Sequence, residues 1–95
     1  MLYVLICQDK PNSSELRQSV RAKHLAYLGR QEVRFAGPML SDDQSEMIGS
    51  IVFIIAESLA DAKAIADNDP YYLAGLFASV IVRPFKQAIP AESQT

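Results

Sequence analysis

The chain has 95 residues, of which 49% are hydrophobic and 21% are charged, and its net charge is −2. This length and composition predict one small globular domain and exclude a disordered or fibrous chain. The negative net charge argues against a nucleic acid or an anionic membrane as the main partner. The single cysteine, Cys7, excludes an internal disulfide and any multi-cysteine metal site.

The chain opens with a predicted strand and a predicted helix. The apolar run LYVLIC, residues 2–7, is typical of a strand and is too short to span a bilayer. No basic segment precedes it, so we expect a cytoplasmic protein. The polar residues 12–14 supply candidate N-caps for a helix that runs to about Leu28, and Gly29 is typical of the position after a helix end.

Two strands are predicted in the middle of the chain. The segment EVRFAGPM, residues 32–39, alternates as a strand does, and Gly37 and Pro38 are expected to end it. Residues 40–49 then predict a polar loop. The segment SIVFIIA, residues 50–56, is the strongest strand signal in the sequence.

The last part of the chain predicts a second helix and a fourth strand. Ser58 followed by Asp61 is a variant of the capping box, and an alanine-rich helix follows until the residues NDP interrupt it. YYLAG predicts one further helical turn, and LFASVIVRPF, residues 76–85, predicts the last strand. We therefore expect a single domain over residues 1–88 and a C-terminal tail over residues 89–95.

The predicted order of elements is β-α-β-β-α-β. This is the ferredoxin-like α+β arrangement, in which two helices cover one face of a four-stranded antiparallel sheet. A half-buried strand should alternate apolar and polar residues, but residues 4–6 and 51–55 are apolar without a break. Leaving the second face in water costs ~1.5–3 kcal/mol for each large apolar side chain. The pattern therefore predicts a homodimer in which two sheets pack face to face.

His24 is the one histidine in the sequence, and it lies on the apolar stripe of the first predicted helix, between Val20 and Tyr27. A buried structural histidine with one hydrogen bond fits this position as well as an acid/base group in a pocket does. A carboxylate beside the ring would favour the second interpretation, because it fixes the tautomer and offsets the loss of water.

Asp69 is the leading candidate for that carboxylate. It precedes Pro70, so we also expect it to cap the short helical turn, and one carboxylate has enough acceptor sites for both roles. Asp67 is a rival, but it lies within the helical stretch and is expected to be solvated. Of the two tyrosines that follow, one is expected in the core and the other, Tyr72, at a pocket or a dimer contact.

The remaining charged segments predict solvated surfaces. The acidic segment SDDQSE lacks the EF-hand spacing, and one histidine with one distant cysteine gives poor support for zinc, so we expect no metal. An RNA-binding module shares the predicted order of elements, but GSIVFIIA contains one aromatic and no basic residue and does not fit its signature. Four basic residues of the first helix are interpreted as its solvent face: Arg17, Arg21, Lys23 and Arg30.

The apolar first strand, RAKHLAYL, the GP pair, GSIVFIIA and DNDPYYLAGLF together resemble the YciI-like (YCII-related) family over roughly residues 1–87. The resemblance implies a ferredoxin-like fold and dimers of the dimeric α/β-barrel type. It also implies that His24 and Asp69 form a His–Asp pair at the core of the active site, with Gly37 and Pro38 near the pocket. The chain departs from the family at RPF, near the end of the last strand, where members often have an aromatic residue, commonly Trp.

Two kinds of function are compatible with these residues, and neither requires a cofactor. In the first, Asp69 orients His24, which moves a proton on a small organic substrate in an elimination, isomerisation or tautomerisation; the resemblance adds dehydrochlorination. In the second, the same pocket of a regulatory dimer binds a small ligand without turnover. Haem binding through His24 is a third and minor option. No nucleophile for acyl transfer is evident, because Cys7 lies in an apolar strand.

Overall fold

The computed structural model describes residues 1–91, which fold into one antiparallel sheet and three helices. The elements follow in the order β1 (Leu2–Asp9), α1 (Ser14–Leu28), β2 (Val33–Leu40), β3 (Met47–Ile55), α2 (Leu59–Asp67), α3 (Pro70–Leu73) and β4 (Phe77–Pro84). The strands are arranged in the spatial order β2-β3-β1-β4. This is the ferredoxin-like α+β fold, so the predicted fold class is confirmed. Residues 92–95 of the predicted tail lie outside the described residues.

The helix ends follow the sequence signals only in part. The Ser58 hydroxyl oxygen accepts a hydrogen bond from the Asp61 backbone N–H at 3.1 Å, which caps α2 as predicted. Ser13 occupies the N-cap of α1 without a side-chain capping bond, and Gly29 ends α1 at a φ of −62°, without the left-handed conformation that glycine permits. Gly75 does use that freedom, with a φ of 78° in the turn between α3 and β4. None of the helices within residues 1–91 is long and apolar enough to cross a bilayer.

The core lies between the helices and one face of the sheet. Because side chains alternate along a strand, every second residue of β1 and β3 points to this side. The Tyr27 hydroxyl donates a hydrogen bond to the Ile65 carbonyl at 2.8 Å, which ties α1 to α2 above the sheet. The buried members of this core are Tyr3, Leu5, Cys7, Leu28, Val52, Ile54, Ala56, Ala62, Ala66 and Val82.

The opposite face of the sheet, which we call the open sheet face, is apolar and uncovered in the single chain. Phe53 lies at its centre, opposite Val4 in the register of β1 and β3. The ring of Phe53 contacts those of Phe35 and Phe85, with centroids 4.6 and 5.0 Å apart. Phe35 is 61% exposed and Ile81 is 44% exposed. An apolar surface of this kind is typical of an interaction site.

Three strand boundaries differ from the prediction by two or more residues. β2 continues through Gly37 and Pro38 to its end at Leu40. A proline is tolerated there because β2 is an edge strand, on which one row of N–H groups has no partner strand. β3 begins at Met47, within the predicted polar loop, because Met47 pairs with Leu40 of β2. β1 extends two residues beyond its predicted end, to Asp9.

Candidate active site

His24 on α1 and Asp69 at the start of α3 meet in the interior, 45 residues apart in the sequence. The Nδ1 atom of His24 lies 2.8 Å from Oδ1 and 2.9 Å from Oδ2 of Asp69. The two side chains are only 8% and 9% exposed. Because an ionised carboxylate can only accept hydrogen bonds, the proton on this ring belongs at Nδ1. Nε2 is then the ring nitrogen that remains for a ligand.

The short helix α3 explains why Asp69 lies beside the imidazole. Asp69 is the N-cap of this helix, and its Oδ1 atom accepts a hydrogen bond from the Tyr71 backbone N–H at 2.9 Å. Pro70 occupies the first helical position, where its missing N–H costs nothing. The predicted cap is therefore confirmed, and the same carboxylate contacts His24. Asp67, the rival partner, is exposed.

Tyr71 packs against two polar side chains of this site. Its ring is stacked on the His24 imidazole, and the guanidinium carbon of Arg17 lies 4.7 Å from the centroid of the same ring. The Tyr71 side chain is fully buried, and this burial raises the pKa of its hydroxyl. Tyr71 therefore holds the face of the imidazole while Asp69 holds its Nδ1 edge.

Arg17 is a buried cation in the same site. Its Nε and Nη2 atoms donate hydrogen bonds to the two carboxylate oxygens of Asp9 at 2.7 and 3.0 Å, and Nη2 also donates to the Ser50 hydroxyl oxygen at 2.9 Å. Burial disfavours the charged form, but the hydrogen bonds and the charge of Asp9 hold the pKa of Arg17 above its ordinary value. The interpretation of Arg17 as part of a solvated face is wrong, because this bidentate pair stabilises the guanidinium in the interior.

A cavity of about 150 Å³ is lined by four of these side chains: Arg17, His24, Ser50 and Tyr71. A cavity of this size holds a ring as large as benzene. Arg21 and His24 line it on the α1 side, and Gly37 and Pro38 line it on the β2 side. A Cβ atom added at Gly37 meets no atom of residues 1–91 within 4 Å, so packing inside one chain does not explain the glycine. The spacing of residues 17, 21, 24 and 28 is the sequence signal that places both arginines on the stripe of His24.

Tyr72 does not line this cavity, which corrects its expected place in the pocket, while its alternative place at a dimer contact stays a prediction. Successive residues of a helix point about 100° apart, so the inward direction of Tyr71 turns Tyr72 outward. Tyr72 is exposed and lines a separate groove beside β4, with Lys63 and Asp67. The tyrosine of the site is therefore Tyr71.

The surroundings of Cys7 shift the pKa of its thiol. Burial, followed by the charges of Asp69 and Asp9, raises the pKa of the Cys7 thiol to about 12. The thiol is then protonated at neutral pH and is a poor nucleophile.

The acidic loop before β3 forms its own hydrogen bonds. Hydrogen bonds from the side chain and backbone of Ser45 lower the pKa of Asp43 to about 2. Within residues 1–91, no group of three or more His, Cys, Asp and Glu side chains is placed to hold a metal ion.

The geometry of the site is suited to the transfer of one proton. A neutral His24 can accept a proton at Nε2, and the charge of Asp69 would stabilise the imidazolium that forms. Burying that imidazolium without a carboxylate would carry a large desolvation penalty. Arg17 and Asp9 form a second ion pair. Because this pair has no net charge, Arg17 does not need the carboxylate of Asp69 as a partner, and Asp69 remains available to His24.

Comparison with known proteins gives a clear family assignment. The sequence profile of the YCII-related domain matches residues 1–86. The chain belongs to the YCII-related family. Protein YciI from Escherichia coli O6:H1 is 46% identical over 96 aligned positions, which cover 92% of this chain and 98% of that protein. A protein from Haemophilus influenzae, named there as uncharacterized, is 41% identical with the same coverage. The predicted family resemblance is thus confirmed.

The solved structure of an enzyme is similar to this chain. It is the 5-chloro-2-hydroxyhydroquinone dehydrochlorinase TftG from Burkholderia phenoliruptrix AC1100, in complex with 2,5-dihydroxybenzoquinone. Its TM-score with this chain is 0.86 at 34% sequence identity, and the match covers 97% of this chain and 100% of that one. This YCII-related chain therefore has the fold of an enzyme that acts on small molecules.

Proposed function

We propose that this YCII-related protein is a cofactor-independent enzyme in which His24 and Asp69 catalyse proton transfer on a small organic molecule. The observation that carries the proposal is the 2.8 Å contact between His24 Nδ1 and Asp69 Oδ1 at the wall of a cavity of about 150 Å³. A purely structural histidine needs its hydrogen bond but no cavity. Here the same ring lines a space large enough for an aromatic ring.

The two side chains have different roles in this proposal. Asp69 orients the imidazole and stabilises its protonated form, while Nε2 of His24 removes a proton from an acidic O–H or C–H group of the substrate. In the dehydrochlorination of a chlorinated hydroxyhydroquinone, a hydroxyl proton first moves to the ring carbon that bears chlorine, which becomes tetrahedral as that hydroxyl becomes a carbonyl. Nε2 of His24 then removes the proton of a second hydroxyl. The electron pair of that O–H bond forms a C=O bond, the adjacent ring π bond shifts to the carbon that bears chlorine, and chloride leaves with the electrons of the C–Cl bond. His24 then releases the proton to solvent. On a substrate from which no group leaves, His24 instead returns the proton to another atom of the same molecule, which gives an isomerisation.

The dehydrochlorinase relative supports this class of reaction. Its substrate, as named, is a chlorinated hydroxyhydroquinone, and its complex contains 2,5-dihydroxybenzoquinone. Both molecules are flat six-membered rings that carry ionisable hydroxyl groups. The cavity beside His24 has the volume that such a ring requires.

The direct test is chloride release from 5-chloro-2-hydroxyhydroquinone by the wild type, His24→Asn and Asp69→Asn. Asparagine at position 24 is a smaller polar side chain that cannot accept the proton, and at position 69 it keeps both the size of aspartate and a good helix cap. We expect kcat to fall ~10²- to 10⁴-fold in either variant, which is the usual contribution of general acid–base catalysis. Asp67→Asn is the matched control, because it removes the same charge from an exposed residue nearby, and we expect it to leave activity unchanged.

Two outcomes would overturn the enzyme proposal. The first is a His24→Asn variant that remains as active as the wild type. The second is a wild type that binds the ring and leaves it unchanged after long incubation. In the second case, ligand binding without turnover becomes the better description of the same pocket.

We also propose that two copies of the chain pack through the open sheet face. The exposed rings of Phe35 and Phe85 and the side chain of Ile81 support this, because each large apolar side chain left in water costs ~1.5–3 kcal/mol. A second copy presents the same surface, which is what a two-fold interface requires.

A further inference from the structure

The α1 wall of the cavity carries two arginines that the proposed proton transfer does not use. Arg17 and Arg21 are one helical turn apart, and both line the cavity together with His24. Like charges at this spacing repel each other and destabilise a helix. Asp9 relieves this repulsion at Arg17, and an anion beside Arg21 would relieve the rest.

The two arginines differ in how their charges are balanced. Asp9 holds Arg17 through two hydrogen bonds, so Arg17 is a rigid donor whose charge is compensated. Arg21 is exposed at the cavity, and among the described residues no carboxylate forms an ion pair with it. Arg21 is therefore the lining cation with an unbalanced charge.

The positive charge of Arg21 matters because of the net charge of the pair of His24 and Asp69. While His24 is neutral and ready to accept a proton, the buried carboxylate of Asp69 carries an unbalanced negative charge. That charge repels an anionic ligand in the cavity, because buried charges are poorly screened by solvent. A cation on the same wall offsets the repulsion.

We propose that Arg21, supported by Arg17, forms an anion subsite, so that the cavity takes a flat ring bearing an oxyanion. The inference rests on the proposed function and deepens it, because it names the substrate class as aromatic or quinonoid carboxylates and phenolates. The oxyanion lies against the arginines, and His24 exchanges a proton elsewhere on the same ring. The volume of the cavity limits the substrate to about one ring.

The test compares benzoate with benzamide, which have the same size and planarity but differ in charge. Binding of each to the full chain is followed by NMR titration, with no turnover required. We expect the wild type to bind benzoate about tenfold more tightly than benzamide, a ratio that corresponds to one good charge contact. Arg21→Gln should remove this preference. Lys23→Gln, which removes the same charge from an exposed residue of α1 that does not line the cavity, should retain it.

Three results would overturn the anion subsite. They are equal affinities of the wild type for benzoate and benzamide, no saturable binding of benzoate, and an equal loss of preference in Lys23→Gln and Arg21→Gln. The failure of the enzyme proposal looks different. In that case the preference for benzoate still depends on Arg21. However, either the wild type turns over no ring, or His24→Asn remains as active as the wild type.

Discussion

The ring of Tyr71 lies parallel to the imidazole of His24, with centroids 3.9 Å apart and planes inclined by 15°. Asp69 accepts hydrogen bonds from the Tyr71 backbone N–H and from His24 Nδ1, so one carboxylate positions both rings. The imidazole is thus held at its edge and on its face by residues of the same helical turn. A proton-transfer group needs this kind of support, because its reach to the substrate depends on its orientation.

The stack predicts a large stability difference between two neighbouring tyrosines. Tyr71→Ala removes a side chain that is 1% exposed and should lower the free energy of unfolding by ~3–5 kcal/mol. Tyr72→Ala, which changes an exposed side chain, should lower it by less than ~1 kcal/mol. Urea unfolding monitored by circular dichroism measures both values. Equal losses would show that Tyr71 does not pack as described.

The pair of Arg17 and Asp9 predicts strong coupling between the two residues. Arg17→Met leaves the Asp9 carboxylate buried and unpaired, which costs ~3–5 kcal/mol of unfolding free energy. Adding Asp9→Asn removes the uncompensated charge and should recover part of this loss. A double-mutant cycle in urea measures the coupling, and strictly additive effects would contradict the buried pair.

The buried thiol of Cys7 predicts a specific dependence of stability on pH. Its pKa rises from an ordinary 9.0 to about 12 in the folded chain, so between these values the unfolded state binds fewer protons than the folded state. Stability therefore falls as pH rises through this range, by at most about 1.4 kcal/mol per pH unit. The difference in unfolding free energy between the wild type and Cys7→Ala isolates this effect from other titrating groups. Parallel pH profiles for the two proteins would contradict the burial of the thiol.

The open sheet face predicts that one charge disrupts the proposed homodimer. Phe35→Glu places a carboxylate on the apolar surface beside Phe53, so the variant should sediment as a monomer at concentrations at which we expect the wild type to be a dimer. Leu73→Glu is the matched control, because Leu73 is similarly exposed but lies on α3, away from the sheet face. A wild type that sediments as a monomer, or two variants with equal effects, would refute this interface.

Some of the fold and site can be predicted from sequence because the signals are local. The apolar runs at residues 2–7 and 50–56 mark the two central strands, each of which lies between two neighbouring strands and is apolar on both faces. Asp69 before Pro70 predicts a helix cap, because the spacing of an N-cap and a first-position proline is fixed by the first turn. His24 on an apolar helical stripe predicts an inward-pointing ring.

Other features depend on long-range contacts that no local pattern contains. Arg17 is interpreted as solvated because its partner, Asp9, lies beyond the predicted end of the first strand; the pairing of β1 with β4 extends the strand and carries Asp9 into the interior. Tyr71 and Tyr72 are adjacent in a single helical turn, so the sequence cannot show which one points inward. β2 passes through Pro38 because the fold makes it an edge strand.

The central claim is that Asp69 holds His24 with its proton on Nδ1 and leaves Nε2 free for chemistry. The most direct measurement is a long-range ¹H–¹⁵N correlation spectrum of the His24 ring in the folded protein, at a pH at which the ring is neutral. The geometry predicts a protonated Nδ1 and an unprotonated Nε2, whereas the urea-unfolded chain should show the Nε2-protonated form that free histidine prefers. A folded protein with the proton on Nε2 would contradict the pair and the proposed catalysis with it.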